Sequence, residues 1–223
     1  MSNNQPIVNQ LPAGAILLFL PIVVIEMYFA GAEARLWGSF DARLNLIRDY
    51  TVVPELVDLS IQANRWSWDW LITFVTYPFV HGAFLQATFG AVFVLAIGKF
   101  VGEAMGSLAL IIIFFVSAIV GAAMYVLLTA DTYPMFGAFP AAYGLIGAFT
   151  FVRFAQAEGL RDQQVRAFQL IGILMALSLL FSAFFGGPNT WVGELFGAVT
   201  GFLTAAALRP GGVPYLLAKL RRD

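Results

Sequence analysis

Cysteine is absent from this 223-residue chain, and histidine occurs once. Without cysteine there is no disulfide, no thiol nucleophile and no Cys-ligated metal. One histidine cannot build a multi-histidine metal site or a histidine-rich catalytic centre, so neither a metal nor a cofactor is expected. Charge is scarce as well: Asp, Glu, Lys and Arg make up 11% of the residues, against roughly 25% in soluble domains. The formal net charge is −1, so no basic field exists to attract a polyanion, and nucleic acid is not an expected partner. What fills the chain instead is apolar: 60% of residues are hydrophobic and Phe alone occurs 22 times. A soluble fold of this size could not hide that much apolar surface. Composition therefore implies an all-α, polytopic membrane protein whose principal surroundings are the lipid bilayer.

A bilayer core about 30 Å thick takes roughly 20 apolar residues per helix. Six stretches meet or approach this: Leu11–Gly31, Trp70–Gly98, Ala104–Ala130, Thr132–Val152, Ala167–Gly193 and Leu195–Leu208. Barrel strands would alternate apolar and polar residues; "LALIIIFFVSAIVGAAMYVLL" does not. The expected organisation is a short polar tail (1–10), one transmembrane domain (11–208) and a basic tail (209–223). "MSNNQPIVNQ" lacks Lys and Arg, so the first stretch reads as a retained helix rather than a cleaved signal peptide, although "AGAEA" could mimic a cleavage site.

Lys99, Arg153, Arg161, Arg166, Arg209, Lys219, Arg221 and Arg222 fall between spans two and three, between four and five, and after six. The positive-inside rule then puts both termini in the cytoplasm. The first loop, 32–69, carries Arg35, Arg43, Arg48 and Arg65 but mixes them with acids, and it is long. Within it Leu56, Val57, Leu59 and Ile61 suggest an amphipathic segment lying on the membrane. Trp66, Trp68 and Trp70 are candidate interface anchors, because indole favours the headgroup zone; a partner-docking surface is the other reading.

Three ionisable residues fall in or beside apolar stretches: Glu26, His81 and Glu194. Burying such groups is costly, so each is a functional candidate, with a structural hydrogen bond as the alternative. Glu194 stands near a helix start, where the dipole favours an acid. For Glu26 the sequence offers no specific role. Gly98, Gly102 and Gly106, Gly144 and Gly147, and Gly197 and Gly201 have the three- or four-residue spacing that lets helices approach closely.

Three blocks in order carry a family resemblance. "TYPFVHGAFLQATFGAVFVLAIGKFVGEAMG" is similar to a second helix of pattern FLH-G-x-x-H-x-x-x-N with its Gly-rich sequel. "GAFPAAYGLIGAF" is similar to G-x-S-G-x-x-x-G-x-x-G, and "GELFGAVTGFLTA" to x-H-x-x-G-x-x-x-G. Together they resemble the rhomboid family of intramembrane serine proteases and its inactive relatives, over roughly residues 66–208. The resemblance implies a six-helix bundle, an integral multi-pass setting, here a bacterial inner membrane, and a Ser–His pair on helices four and six. In this chain the Ser slot holds Phe139, followed by Pro140, and the His slot holds Glu194. The helix-two positions of the family's oxyanion-stabilising His and Asn hold Gln86 and Gly90. His81 matches an upstream His that is not the base. Phe139 and Pro140 are expected to fill the space where substrate would bend.

Nucleophilic catalysis needs a hydroxyl or thiol beside a base, and Phe139 is neither. The resemblance therefore implies a pseudoprotease that binds or escorts transmembrane segments of other membrane proteins. An active serine endopeptidase using another hydroxyl (Ser117, Thr150 or Ser182) and a structural subunit of a larger membrane complex are the alternatives. The topology has its own test. Reporter fusions at Asp131 and Gly187 are expected outside, and fusions at Gly159 and Asp223 in the cytoplasm. The reverse pattern would break the six-span arrangement.

Overall fold

The computed structural model describes residues 10–157, 160–185 and 187–220. The polar tail up to residue 9, the fusion position Gly159 and the last three residues of the basic tail lie outside the described residues. The elements are α1 (Ala13–Glu33), α2 (Ala42–Tyr50), α3 (Pro54–Ala63), the short turns α4 (Trp68–Leu71) and α5 (Thr73–Thr76), a 3-10 turn (Tyr77–Phe79), α6 (Phe84–Met105), α7 (Ser107–Leu128), α8 (Phe139–Gln156), α9 (Arg161–Ala167), α10 (Gln169–Phe185), α11 (Trp191–Leu208) and α12 (Gly212–Leu220). Among the described residues there is no strand beyond an isolated antiparallel bridge between Val52 and Met135. Five helices among the described residues are long and apolar enough to cross a membrane, the fourth of them running through α9 and α10.

The fourth charge-free stretch forms α8, which is not one of these five and stands at the centre of the bundle. Pro140 to Ala148 is an unbroken buried run. A helix apolar on every side belongs inside other helices, and α8 is enclosed mainly by α11, α7 and α6. Because this part of α8 meets protein rather than lipid, it tolerates the buried Tyr143 and Thr150.

Two spans start later than the charge-free stretches suggest. The second begins at Phe84, not Trp70. Pro78 and Gly82 interrupt it, so residues 68–79 form short turns and 80–83 an irregular link. The fourth begins at Phe139 rather than Thr132, because Pro134 and Gly137 stop helix formation; Gly137 has φ +92°. Charge count alone does not see such breaks, since the residues that make them are uncharged.

Close approach of backbones builds the interior. A Cβ built on Gly201 would land on the Gly144 carbonyl, one on Gly147 on the Ala198 carbonyl, and one on Gly197 on the Pro140 carbonyl. These contacts zip α8 to α11 over two turns. On the other side, a Cβ on Gly144 would strike the side chain of Ser117 in α7. Between helices in lipid, where burial of apolar area gains little, such small-residue contacts are the main source of cohesion. Gly98 and Gly102 face α1 and its entry: a Cβ on Gly102 would sit 2.7 Å from Pro12. Gly106 differs from the packing role its spacing suggests. It is the single residue between α6 and α7, its φ is +90°, and nothing lies within 4 Å of a Cβ built there. Its freedom at positive φ makes the turn.

α10 contrasts with this core. None of its described side chains is fully buried, and it touches the rest chiefly through α11 and α8.

Gly201→Val is expected to drive α8 and α11 apart and cost roughly 3 kcal/mol or more. Gly98→Ala, whose new methyl would first meet Ala15 at 3.4 Å, should change little. Thermal midpoints and monodispersity of the two purified variants compare them directly; equal midpoints would contradict the backbone zipper.

Candidate functional site

The first turn of α8 emerges from a turn at Gly137. Gly137 N–H donates to the Tyr77 carbonyl (2.9 Å), and Tyr77 in turn donates its hydroxyl to the Ala118 carbonyl of α7 (2.8 Å). These bonds fix where α8 begins. The next residues are Ala138, Phe139 and Pro140. Helix N-termini carry free N–H groups that could stabilise an oxyanion. Here Ala138 N–H is already donated to His81 Nε2 (3.2 Å). Pro140, at the start of the helix, has no N–H to give. Phe139 is half-buried and brings no nucleophile. Pro140 is buried, its ring 3.0 Å from where a Cβ on Gly121 of α7 would stand.

His81 lies in the 80–83 link rather than within a span, and it is 1% exposed. Both edges of its ring are occupied: Nε2 by Ala138 N–H and the other by a hydrogen bond to the Phe79 backbone. Burial, aided by the nearby Arg43 guanidinium, pushes its pKa down to about 4, so the ring is neutral at physiological pH. Gly90 makes room for this ring, since a Cβ there would stand 2.9 Å from His81 Nε2. The missing side chain is the space the imidazole occupies. Gln86 accepts from Gly82 N–H through Oε1 (2.8 Å), while its Nε2 stands 2.9 Å from where a Cβ on Gly137 would be. Gln86, Gly82, Tyr133, Phe136 and Thr190 line a cavity of about 410 Å³ over this end of the bundle. His81, Gln86, Gly90 and the start of α8 thus form one cluster.

Glu194 sits in the first turn of α11, 7% exposed. Its carboxylate accepts from Ser178 Oγ of α10 (2.5 Å) and is hydrogen-bonded to the Tyr143 side chain of α8. The one proton of the Tyr143 hydroxyl is shared between Glu194 and the Leu174 carbonyl of α10 (3.0 Å). Glu194 and Tyr143 are therefore a polar staple that holds the otherwise loosely seated α10 against α8 and α11.

Glu26 finds its partner in the first loop. Arg43 of α2 binds it with two nitrogens, Nη2 to Oε1 at 2.6 Å and Nη1 to Oε2 at 3.1 Å. The same guanidinium donates to Glu33 (3.0 Å) and to the His81 carbonyl (3.1 Å), and stands 4.4 Å from the Phe29 ring centroid. A bidentate, charge-assisted pair of this kind is strong and directional. Arg43 thereby ties α1, α2 and the His81 link together. Sequence reasoning singles out Glu26 but not Arg43, whose charge is hidden among others in a mixed loop.

The remaining candidates are dispersed. Val57 of α3 is buried, while Leu56, Leu59 and Ile61 are exposed, giving α3 one inward and one outward apolar side. Trp68 is the most open of the three tryptophans; Trp66 and Trp70 approach each other with centroids 6.0 Å apart, and Trp70 packs on the core. Ser117 and Thr150 are buried, and neither hydroxyl has a hydrogen-bond partner among the described residues. Among the described residues no cluster of His, Cys, Asp and Glu could hold a metal ion.

Arg43→Met leaves Glu26 buried without a counter-charge and is expected to destabilise the protein by about 3–5 kcal/mol. Adding Glu26→Leu removes the stranded charge and should recover much of the loss. Thermal unfolding of the single and double variants measures both; equal losses would exclude coupling between the two residues.

Comparison with known proteins adds two findings. A family model described as Rhomboid domain matches residues 68–211, well over half of the chain. No curated protein matches it.

Proposed function

Since the chain belongs to the rhomboid family, we propose that it is a non-catalytic member that binds or escorts transmembrane segments of partner membrane proteins. The observation that carries this reading is the state of the two slots where the family's Ser and His stand. Phe139 has no nucleophilic atom. Glu194 has its carboxylate engaged by Ser178 and Tyr143. An activated nucleophile needs a base within hydrogen-bond reach, and at the start of α8 the Ala138 N–H is given to His81 while Pro140 has no N–H to offer. The helical scaffold, by contrast, is kept, with its glycine contacts between α8 and α11.

The surface that would receive a partner is the lateral face of α6 and α10. Phe84, Leu85 and Phe89 of α6, and Ile173, Leu180 and Phe181 of α10, are exposed and apolar. α10 is held by few contacts, which suits a face that adapts to different helices. The proposed setting is a bacterial inner membrane with both termini cytoplasmic, on the distribution of Arg153, Arg161, Arg166 and Arg209.

A catalytic alternative draws no support from the other buried hydroxyls. Among the described residues, Ser117 and Thr150 touch no polar group that could act as a base.

A serine-directed fluorophosphonate probe is expected to leave the purified protein unlabelled. A photo-crosslinker at Leu180 is expected to yield adducts with membrane-spanning partners, while one at Leu17 of α1, which is at least as exposed, is not. Labelling abolished by one Ser→Ala change would replace this reading with a protease. Fixed-ratio adducts with a single protein would replace it with a permanent subunit.

A further inference from the structure

Where α8 ends and α9 turns into α10, a cleft of about 350 Å³ opens at the end of the membrane-spanning bundle. Its lining has two characters. Arg153, Arg166, Gln156 and Gln163 supply cationic and amide donors, and Phe149 and Leu170 supply apolar walls. Among the described residues, no Asp or Glu lines it. Neither guanidinium makes an ion pair or side-chain hydrogen bond among the described residues. Asp162, one turn before Arg166 on α9, does not pair with it. Of the other arginines, Arg43 binds two carboxylates and Arg48 pairs with Asp49, while Arg35, Arg65 and Arg161 make no ion pair among the described residues.

We propose that this cleft seats the phosphodiester headgroup of an anionic phospholipid. Guanidinium forks match phosphate oxygens in geometry and charge. The two arginines come from different helices, so one phosphate can bridge α8 to α9. The amides of Gln156 and Gln163 offer further donors to the glycerol or phosphate oxygens. The apolar walls suit the first methylenes of an acyl chain, a feature a free anion does not use. Basic clefts at the membrane end of helices are suited to acidic headgroups because the lipid is already concentrated at that depth. The site is separate from the Phe139–Glu194 slots and does not depend on whether the protein is catalytic. Its occupation would steady α9 and hence the start of α10.

The test uses the purified full chain in a neutral detergent. It is titrated with phosphatidylglycerol, with phosphatidylcholine and with inorganic phosphate, and thermal midpoint and bound lipid by native mass spectrometry are read together. Phosphatidylglycerol is expected to raise the midpoint saturably and to remain bound as a discrete adduct. Arg153→Gln with Arg166→Gln should weaken that binding by roughly 25-fold, on the basis of one surface cation's worth per arginine. Arg48→Gln, away from the cleft, should leave it unchanged. If the double variant does not fold, Arg166→Gln alone, on an exposed position of α9, is expected to weaken binding roughly fivefold. An equal response to phosphatidylcholine, an equal response to inorganic phosphate, or undiminished binding in the arginine variants would each overturn the proposal.

Discussion

Everything in this bundle depends on how closely α8 and α11 approach. The Gly201 Cα stands so near the Gly144 carbonyl that no side chain fits between them, and Gly147 and Gly197 repeat the condition one turn away on either helix. In lipid, helices gain little from hiding apolar surface, so dispersion at this contact and the polar bonds around it carry the association. The contact also fixes the height of the two helix starts relative to each other. That height sets where Phe139 and Glu194 stand, and Glu194 in turn decides what α10 can hold on to.

Polar groups are few here, and each serves more than one neighbour. His81 receives the N–H of Ala138 just before α8, bonds back to the Phe79 backbone, and lends its carbonyl to Arg43. Arg43 satisfies two carboxylates and leans on Phe29. Glu194 gathers hydroxyl groups from two other helices. This is the economy expected where an unmet polar group costs more than in water. It also explains why ionisable residues in apolar stretches are poor guides to catalysis in this chain: the same residue types at the same depth can be wholly occupied by structure.

The sequence makes some of this legible and conceals the rest for physical reasons. Spans and helical character follow from long charge-free runs, which are a composition signal. Breaks within those runs depend on Pro78, Gly82, Pro134 and Gly137, which are apolar or neutral and so do not register in a count of charges. Glycines at Gly144, Gly147, Gly197 and Gly201 show a helix face by spacing alone, but spacing does not say which helix they face. Gly106 shares that spacing and yet forms a turn, because periodicity cannot tell the last residue of one helix from the gap before the next. Ser178 and Tyr143 are hidden as Glu194 partners, since both lie in apolar runs on other helices. Arg43 as the partner of Glu26 is hidden because an ion pair across seventeen positions leaves no periodic trace.

The turn at Gly106 has a consequence for how the chain enters its membrane. With one residue between Met105 and Ser107, α6 and α7 have no loop that could wait on one side while the second helix follows. The two must partition into lipid together as a helical hairpin, with the glycine as its tip. Biogenesis of the bundle thus has a built-in unit of two helices, already touching at Leu110, onto which α1 can close and from which α8 can be enclosed as it is made.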